Sequence, residues 1–322
     1  MDEIYSLVAV FVVAFVATFG LTRKFILRFH AGGYVVSDMY KPDKHDVPTM
    51  GGIAILGGVM VSLIVAQLLI ESHEFVEKLL IFYFIVFIYG VFGLLDDLIK
   101  IKSRWKRVYI PLFLALPIAL LNTGEYITFS PLDFQLYVGW LKPYVIAPLY
   151  VMVVANMVNM HAGFNGLSGG LSWILMFFVG LKVVLDGNVS QLNYLMPIFG
   201  SLLAFMWYNK YPSRIFLGNS GTMITGVAVG GLLVLYNMEI FGLVILLPHI
   251  FNFLLWIYWL MNMHVHPHVK FARLREDGTI EPPNKLTLKY IVTHYFRVGE
   301  LRAILILYGI TTVFGIIGLL SM

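Results

Sequence analysis

Asp96 and Asp97 close an apolar run, Ile-Phe-Tyr-Phe-Ile-Val-Phe-Ile-Tyr-Gly-Val-Phe-Gly-Leu-Leu-Asp-Asp, in a chain with almost no other charge at membrane depth. One carboxylate at the centre of a transmembrane helix costs about 3 kcal/mol on insertion scales, and two side by side also repel each other. The chemistry that suits such a pair is holding a cation or moving a proton. Four other segments carry unusual polar groups. Asn156 and Asn159 lie three residues apart and can share a helix face, and His161, Gly163, Asn165 and Gly166 follow them. Lys210, Arg214, Phe216 and Asn219 follow a later apolar run. Lys41 and Lys44 precede Pro48-Thr-Met-Gly-Gly52, and His264, His266, His268, Lys270 and Arg273 crowd into one late hydrophilic stretch.

Together these segments offer carboxylates, amides, backbone-exposing glycines and cations. That inventory suits a phosphate-rich ligand carrying Mg²⁺. Oxygen donors take a hard cation, Lys and Arg take phosphate charge, and an aromatic such as Phe216 takes a base. Each piece has a plainer reading. The aspartates could be solvated at the interface, and the asparagines could join helices. The glycines could serve close packing, and the basic loops could set topology and meet lipid head groups. The three-histidine run, with its proline, fits no zinc spacing well.

The elements that must position these groups are membrane spans. Of the 322 residues, 59% are hydrophobic and 12% charged, against about 25% charged in soluble proteins. Apolar runs close to 20 residues match the length that crosses about 30 Å of hydrocarbon. The expected fold is all-α: a single polytopic helix bundle over residues 1–322. Ten spans can be drawn, at about 4–22, 51–70, 79–97, 108–121, 143–160, 168–186, 192–208, 215–236, 240–261 and 301–321. Pro111 and Pro117 should kink or tilt the short fourth span. Residues 262–299, between the last two spans, are too long for a turn and should carry some structure of their own. Asp2 and Glu3 precede the first run where a cleavable signal would be basic, so it is expected to be retained as a span. No cysteine is present, which removes disulfide and thiol chemistry.

All but three of the 22 basic residues (Lys78, Lys142 and Lys182) fall in alternate loops. The positive-inside rule then places those loops, and every polar cluster above, in the cytoplasm, with both termini outside. The net charge of +4 is parcelled among separate loops, so no nucleic-acid partner is expected.

At these residues the chain resembles the polyprenyl-phosphate N-acetylhexosamine-1-phosphate transferases, glycosyltransferase family 4. Pro48-Thr-Met-Gly-Gly52 and Phe-Gly-Leu-Leu-Asp96-Asp97 look like motifs shared across that superfamily. Asn156-x-x-Asn159-x-x-Ala-Gly163-x-Asn165-Gly-Leu and Trp-Tyr-Asn-Lys-Tyr-Pro-Ser-Arg214-Ile-Phe216-Leu-Gly look like the dolichyl-phosphate branch. The resemblance implies transfer of GlcNAc-1-phosphate from UDP-GlcNAc to dolichyl or another polyprenyl phosphate, with UMP released, as the first step of lipid-linked oligosaccharide assembly for N-glycosylation. It implies Mg²⁺, with Mn²⁺ as the alternative, held by Asn159 and residue 219. It implies Asp96 and Asp97 as the catalytic pair that receives or positions the lipid phosphate. The implied substrate contacts are Asn156, Gly163, Asn165 on the uracil, Phe216 stacked on the uracil, Lys41, Lys44, Arg107, His268, Lys270 and Arg273. The location implied is a multi-pass membrane protein, in the plasma membrane if prokaryotic, active on the cytoplasmic face. Members of this family often pair, so a homodimer is allowed.

One departure stands out. Where the family has an aspartate as a principal Mg²⁺ ligand, this chain has Asn219. An engineered ligand-removal variant, a natural enzyme that tolerates the amide, and a weakly active paralogue all remain open. A nucleotide-sugar or lipid-linked-sugar transporter is the reading from another class. Its polar groups should line a path near the midplane, whereas here they gather at one face.

Overall fold

A computed structural model describes residues 2–121, 123–129, 134–262 and 271–321. The chain folds as an all-α polytopic membrane bundle. Its helices are α1 (Asp2–Ala31), α2 (Gly52–Leu69), α3 (His73–Ile99), α4 (Lys106–Ala115), α5 (Ala147–Met160), α6 (Leu167–Leu185), α7 (Leu192–Asn209), α8 (Gly218–Leu235), α9 (Glu239–Ile245), α10 (Leu247–Met261), α11 (Leu288–Phe296) and α12 (Glu300–Ser321). Three antiparallel hairpins decorate the helix ends: β1 (Val35–Ser37) with β2 (Asp46–Pro48), β3 (Tyr126–Phe129) with β4 (Phe134–Tyr137), and β5 (Arg273–Leu274) with β6 (Ile280–Glu281).

Eight of the spans drawn from the sequence are helices long and apolar enough to cross a bilayer, among the described residues. The other two are irregular, for identifiable reasons. The ninth is α9 plus α10, bent by 72°. Pro248 in the first turn of α10 lacks the amide that would continue α9. The fourth is α4 plus a 3₁₀ stretch, Leu116–Leu121. At about 1.5 Å per α residue and about 2.0 Å per 3₁₀ residue it reaches roughly 27 Å, so the tighter helix stretches a short segment to near membrane thickness. Several helices also run past the apolar runs. α1 continues to Ala31 through Arg23, Lys24 and Arg28, beyond the hydrocarbon that hydropathy detects. Residues 262–299 do carry structure, the β5–β6 hairpin and α11, whose Thr287 hydroxyl accepts from the Tyr290 amide as a helix cap.

α8 is the axis of the bundle. In its most apolar window 83% of residues are buried, against 28% in α1. It packs on α3, α5, α2 and α6. Its sequence, Gly-Asn-Ser-Gly-Thr-Met-Ile-Thr-Gly-Val-Ala-Val-Gly-Gly, explains this, because small residues let helix backbones approach closely where no hydrophobic effect drives association. The nearest approaches flank its N-terminus. A Cβ on Gly52 would stand 2.3 Å from the Gly221 amide nitrogen, and one on Gly93 would stand 2.5 Å from the Asn219 carbonyl oxygen.

Gly52→Ala and Gly93→Ala should each destabilise the folded protein by about 1–3 kcal/mol, because backbone must shift to admit the methyl. Gly309→Ala, with nothing within 4 Å of the new carbon, should be neutral. Thermal unfolding in detergent compares the three.

Candidate active site

Among the described residues, most polar groups singled out in the sequence meet at one end of the bundle, where α3, α5 and α7 finish and α2, α6, α8 and α12 begin. The two adjacent aspartates divide their work there, because consecutive helix residues point about 100° apart. Asp97 turns to the start of α8. Its Oδ1 accepts from the Asn219 amide at 2.8 Å, and its Oδ2 accepts from the Ser220 amide at 2.9 Å. A carboxylate on the first free amides of a helix is favoured by both hydrogen bonding and the helix dipole. Asp96 turns the other way and is buried. Its Oδ1 accepts from the Ile101 amide at 2.9 Å and from Arg107 Nη2 at 3.0 Å, which fixes the corner between α3 and α4. Its Oδ2 accepts from the Asn219 side-chain amide at 3.1 Å.

Pro48-Thr-Met-Gly-Gly52 secures the same helix start from the other side. The Phe216 amide donates to the Pro48 carbonyl at 2.7 Å, and the amides of Gly51 and Gly52 donate to the carbonyls of Phe216 and Leu217 at 2.9 and 3.0 Å. On α5, Asn159 Oδ1 accepts from the Thr222 hydroxyl at 2.7 Å.

These groups border a cavity of about 430 Å³. Of the sequence-predicted residues, Asp97, Asn159, Gly163, Asn165, Phe216 and Asn219 lie on its wall. Asp96 and Arg107 stand behind, paired with each other. Asn156 donates to the Met152 carbonyl within α5 and is not on the wall. Lys44 and Arg273 are exposed away from it. His268 and Lys270 lie outside the described residues.

Two predicted contacts are differently employed. Lys41 is buried in ion pairs with Glu300 at 2.5 Å and Asp38 at 3.3 Å, over the ring of Tyr211. Asn165 spends its polar groups within the protein. Its backbone amide donates to Glu300 Oε1 at 2.6 Å, and its side-chain amide donates to the same oxygen at 2.8 Å and to Asp38 Oδ2 at 3.1 Å. Its carbonyl accepts from the Ser213 amide at 2.6 Å. Asn165 therefore clasps four segments, and only one face of it is left for the cavity.

Asp38 and Glu300 are acids of the site that the sequence reading did not single out. Asp38 had no spacing to mark it. Glu300 did carry a signal, as an isolated acid in the first turn of an apolar span. Among the described residues, the wall holds the carboxylates of Asp38 and Asp97 and no lysine, arginine or histidine. An anionic ligand could enter such a space only with a cation. Asp97 keeps one lone pair on each oxygen, Asn159 keeps one on its amide oxygen, and the Asn219 amide oxygen accepts no hydrogen bond among the described residues. Three oxygen donors with a single charge are the kind of donor set that suits a hard divalent cation.

The match to known proteins agrees with this architecture. Residues 79–237 match the family model Glycosyl transferase family 4. Along 95% of its length the chain is 29% identical to a Sulfolobus acidocaldarius protein provisionally named UDP-N-acetylglucosamine–dolichyl-phosphate N-acetylglucosaminephosphotransferase, covering 93% of that protein. It is 28% identical to a provisionally named glycosyltransferase of Methanocaldococcus jannaschii, over 98% of this chain and 95% of the relative. A phospho-N-acetylmuramoyl-pentapeptide-transferase of Levilactobacillus brevis is 27% identical over 61% of this chain and 64% of its own. The chain is thus similar to glycosyl transferase family 4 through residues 79–237, and to the two archaeal relatives over nearly its whole length.

Asn165→Ala should remove the clasp and leave the buried carboxylates of Asp38 and Glu300 with Lys41 but without their amide donors, with a loss of about 3 kcal/mol. Asn159→Ala, which breaks one hydrogen bond, should lose about 1 kcal/mol. Thermal unfolding of the two variants without substrate separates the structural amide from the cavity amide.

Proposed function

We propose that the chain transfers N-acetylglucosamine-1-phosphate from UDP-N-acetylglucosamine to dolichyl or a related polyprenyl phosphate, releasing UMP. The observation that carries this reading is the cavity wall: acidic, rich in amide oxygens and without cationic side chains, in a bundle similar to this family. The names of the relatives support the substrates, since two of them specify this sugar and this class of lipid.

The reaction brings two anions together, so neutralising charge is the main task. Asp97, Asn159 and Asn219 would hold Mg²⁺, or Mn²⁺ in its place, and the bound cation would supply charge neutralisation at the donor pyrophosphate. An oxygen of the lipid phosphate forms a bond to the phosphorus bearing the sugar. The bond from that phosphorus to the bridging oxygen breaks, and UMP leaves with the electron pair. No proton need be removed from an acceptor phosphate already largely dianionic near neutral pH, its second pKa being about 6. Asp97 then works by position. Its carboxylate is held at the start of α8 by two backbone amides, so it does not reorganise when substrates arrive. Phe216, on the wall in the turn between α7 and α8 and hydrogen-bonded to Pro48 and Gly51, offers its face to the uracil. The basic loops that flank this end of the bundle favour a cytoplasmic site.

Asn219 is suited to its neighbour. Its amide nitrogen donates to Asp96 Oδ2, and an aspartate there would face another carboxylate unless a cation lay between them.

Purified protein given UDP-N-acetylglucosamine, Mg²⁺ and polyprenyl phosphate should release UMP only when all three are present. UMP without lipid, or none in the complete mixture, overturns the proposal. Asp97→Asn should lower turnover by about 100-fold or more. Asn219→Asp should raise Mg²⁺-dependent turnover while lowering thermal stability in chelator, the deficit closing as Mg²⁺ is restored. Equal or lower turnover across a magnesium titration would show that the amide is no handicap.

A further inference from the structure

Behind the cavity wall lies an amine that the reaction outlined above leaves without a task. Lys289 stands on α11, and its Nζ donates to the Ala162 carbonyl at 2.8 Å. The ammonium lies over the rings of Phe164, at 5.4 Å, and Tyr290, at 5.2 Å. Ala162, Gly163 and Phe164 all line the cavity. Gly163 holds φ at +107°, and a Cβ built on it would stand 2.3 Å from Lys289 Nζ. The ammonium therefore presses on the wall where the wall is one backbone thick.

No carboxylate reaches Lys289 within ion-pair distance among the described residues. The undescribed stretch 263–270, Met-His-Val-His-Pro-His-Val-Lys, contains no acid. Glu300 exerts some pull on the amine but is bonded to Lys41 and Asn165. A lysine fixed by one carbonyl and two rings, with no counter-ion, on the back of a wall whose front faces are acidic, is placed to meet an anion on the other side.

We propose that Lys289 is a positioning residue for the anionic phosphates of the nucleoside-diphosphate donor, acting through the Ala162–Gly163 backbone as the positive side of the cavity. This rests on the transferase reading. The charge of Lys289 also changes within a working pH range. Burial lowers its pKa from 10.5 to about 8. Apart from Glu300, which is paired with Lys41, the groups facing it stay uncharged there: burial holds His161 well below the usual imidazole range, and burial raises the phenols of Tyr290 and Tyr40. As pH rises through about 8 the empty enzyme loses the ammonium, so donor affinity should fall on the alkaline side.

The test compares the full-length wild type, Lys289→Met and Lys289→Arg in lipid-dependent UMP release from pH 6.5 to 9.5, together with calorimetric binding of UDP in Mg²⁺. Lys289→Met should raise the donor KM about tenfold, leave kcat within about twofold, and abolish the alkaline rise in donor KM. Lys289→Arg should keep donor affinity and carry it unchanged to the top of the pH range. A Met variant with wild-type donor KM and the wild-type alkaline limb overturns the proposal. So does a Met variant that loses kcat and thermal stability together and is not rescued by Arg, which would make Lys289 a strut only. If the wild type releases no UMP, the transferase reading fails, and UDP binding still decides this one. Wild-type UDP affinity falling above pH 8, with Lys289→Met weak throughout, supports it. Identical titrations overturn it.

Discussion

The site depends on one contact, the carboxylate of Asp97 against the first two amides of α8. α8 is the most buried helix, with α2, α3, α5 and α6 arranged round it. A helix start buried without partners leaves unsatisfied amides, each costly in a protein interior. Asp97 satisfies two of them with a group that a membrane would otherwise exclude. The expense of the charge and the expense of the bare amides thus offset each other. The same contact fixes Asn219 and Thr222 relative to α3, and through Thr222 it fixes Asn159 on α5. Of the oxygen donors on the wall, Asp97 is thus set by backbone amides, and the side chains of Asn159 and Asn219 are held by Thr222 and Asp96, the kind of fixed arrangement that electrostatic preorganisation requires.

A second polar assembly holds the rest of the cavity. Asp38, Lys41, Asn165, Ser213 and Glu300 join the first hairpin, the α5–α6 turn, the α7–α8 turn and the start of α12. It contains two carboxylates and one ammonium, stabilised by amides that complete the coordination of each oxygen. Breaking such an assembly at one member is far worse than never having built it, because the remaining charges are already desolvated. That places Asn165 and Lys41 in a supporting role, although their residue types alone suit substrate contact.

Much of this was legible in the sequence, and the limits are physical. Hydropathy marked the eight helices long enough to cross a bilayer, and the bent α9–α10 pair, because a span needs an uninterrupted apolar run. It under-measured α1 and α3, whose ends continue through charged residues outside the hydrocarbon. It could not show that α4 would be completed by a 3₁₀ stretch, a matter of helix geometry rather than composition. The Asp96-Asp97 pair was visible as a place, but not as a division of labour, since which carboxylate faces the cavity depends on rotation about α3. Lys41 looked like a phosphate ligand because a basic residue in a loop carries no sign of the acid it will meet 259 residues later in the chain. Lys289 was lost among the basic residues of its loop for the same reason.

The clasp at Asn165 also has a consequence in time. Its members come from the first, middle and last parts of the chain, and Glu300 stands at the threshold of the final span. During synthesis, the apolar helices that precede α12 can be in the bilayer before residue 300 has left the ribosome. Until then Lys41 lacks its strongest partner and Asn165 lacks two of its four bonds. The pocket is thus finished last, by the arrival of α12, and an interrupted chain would be well inserted but without its completed cavity.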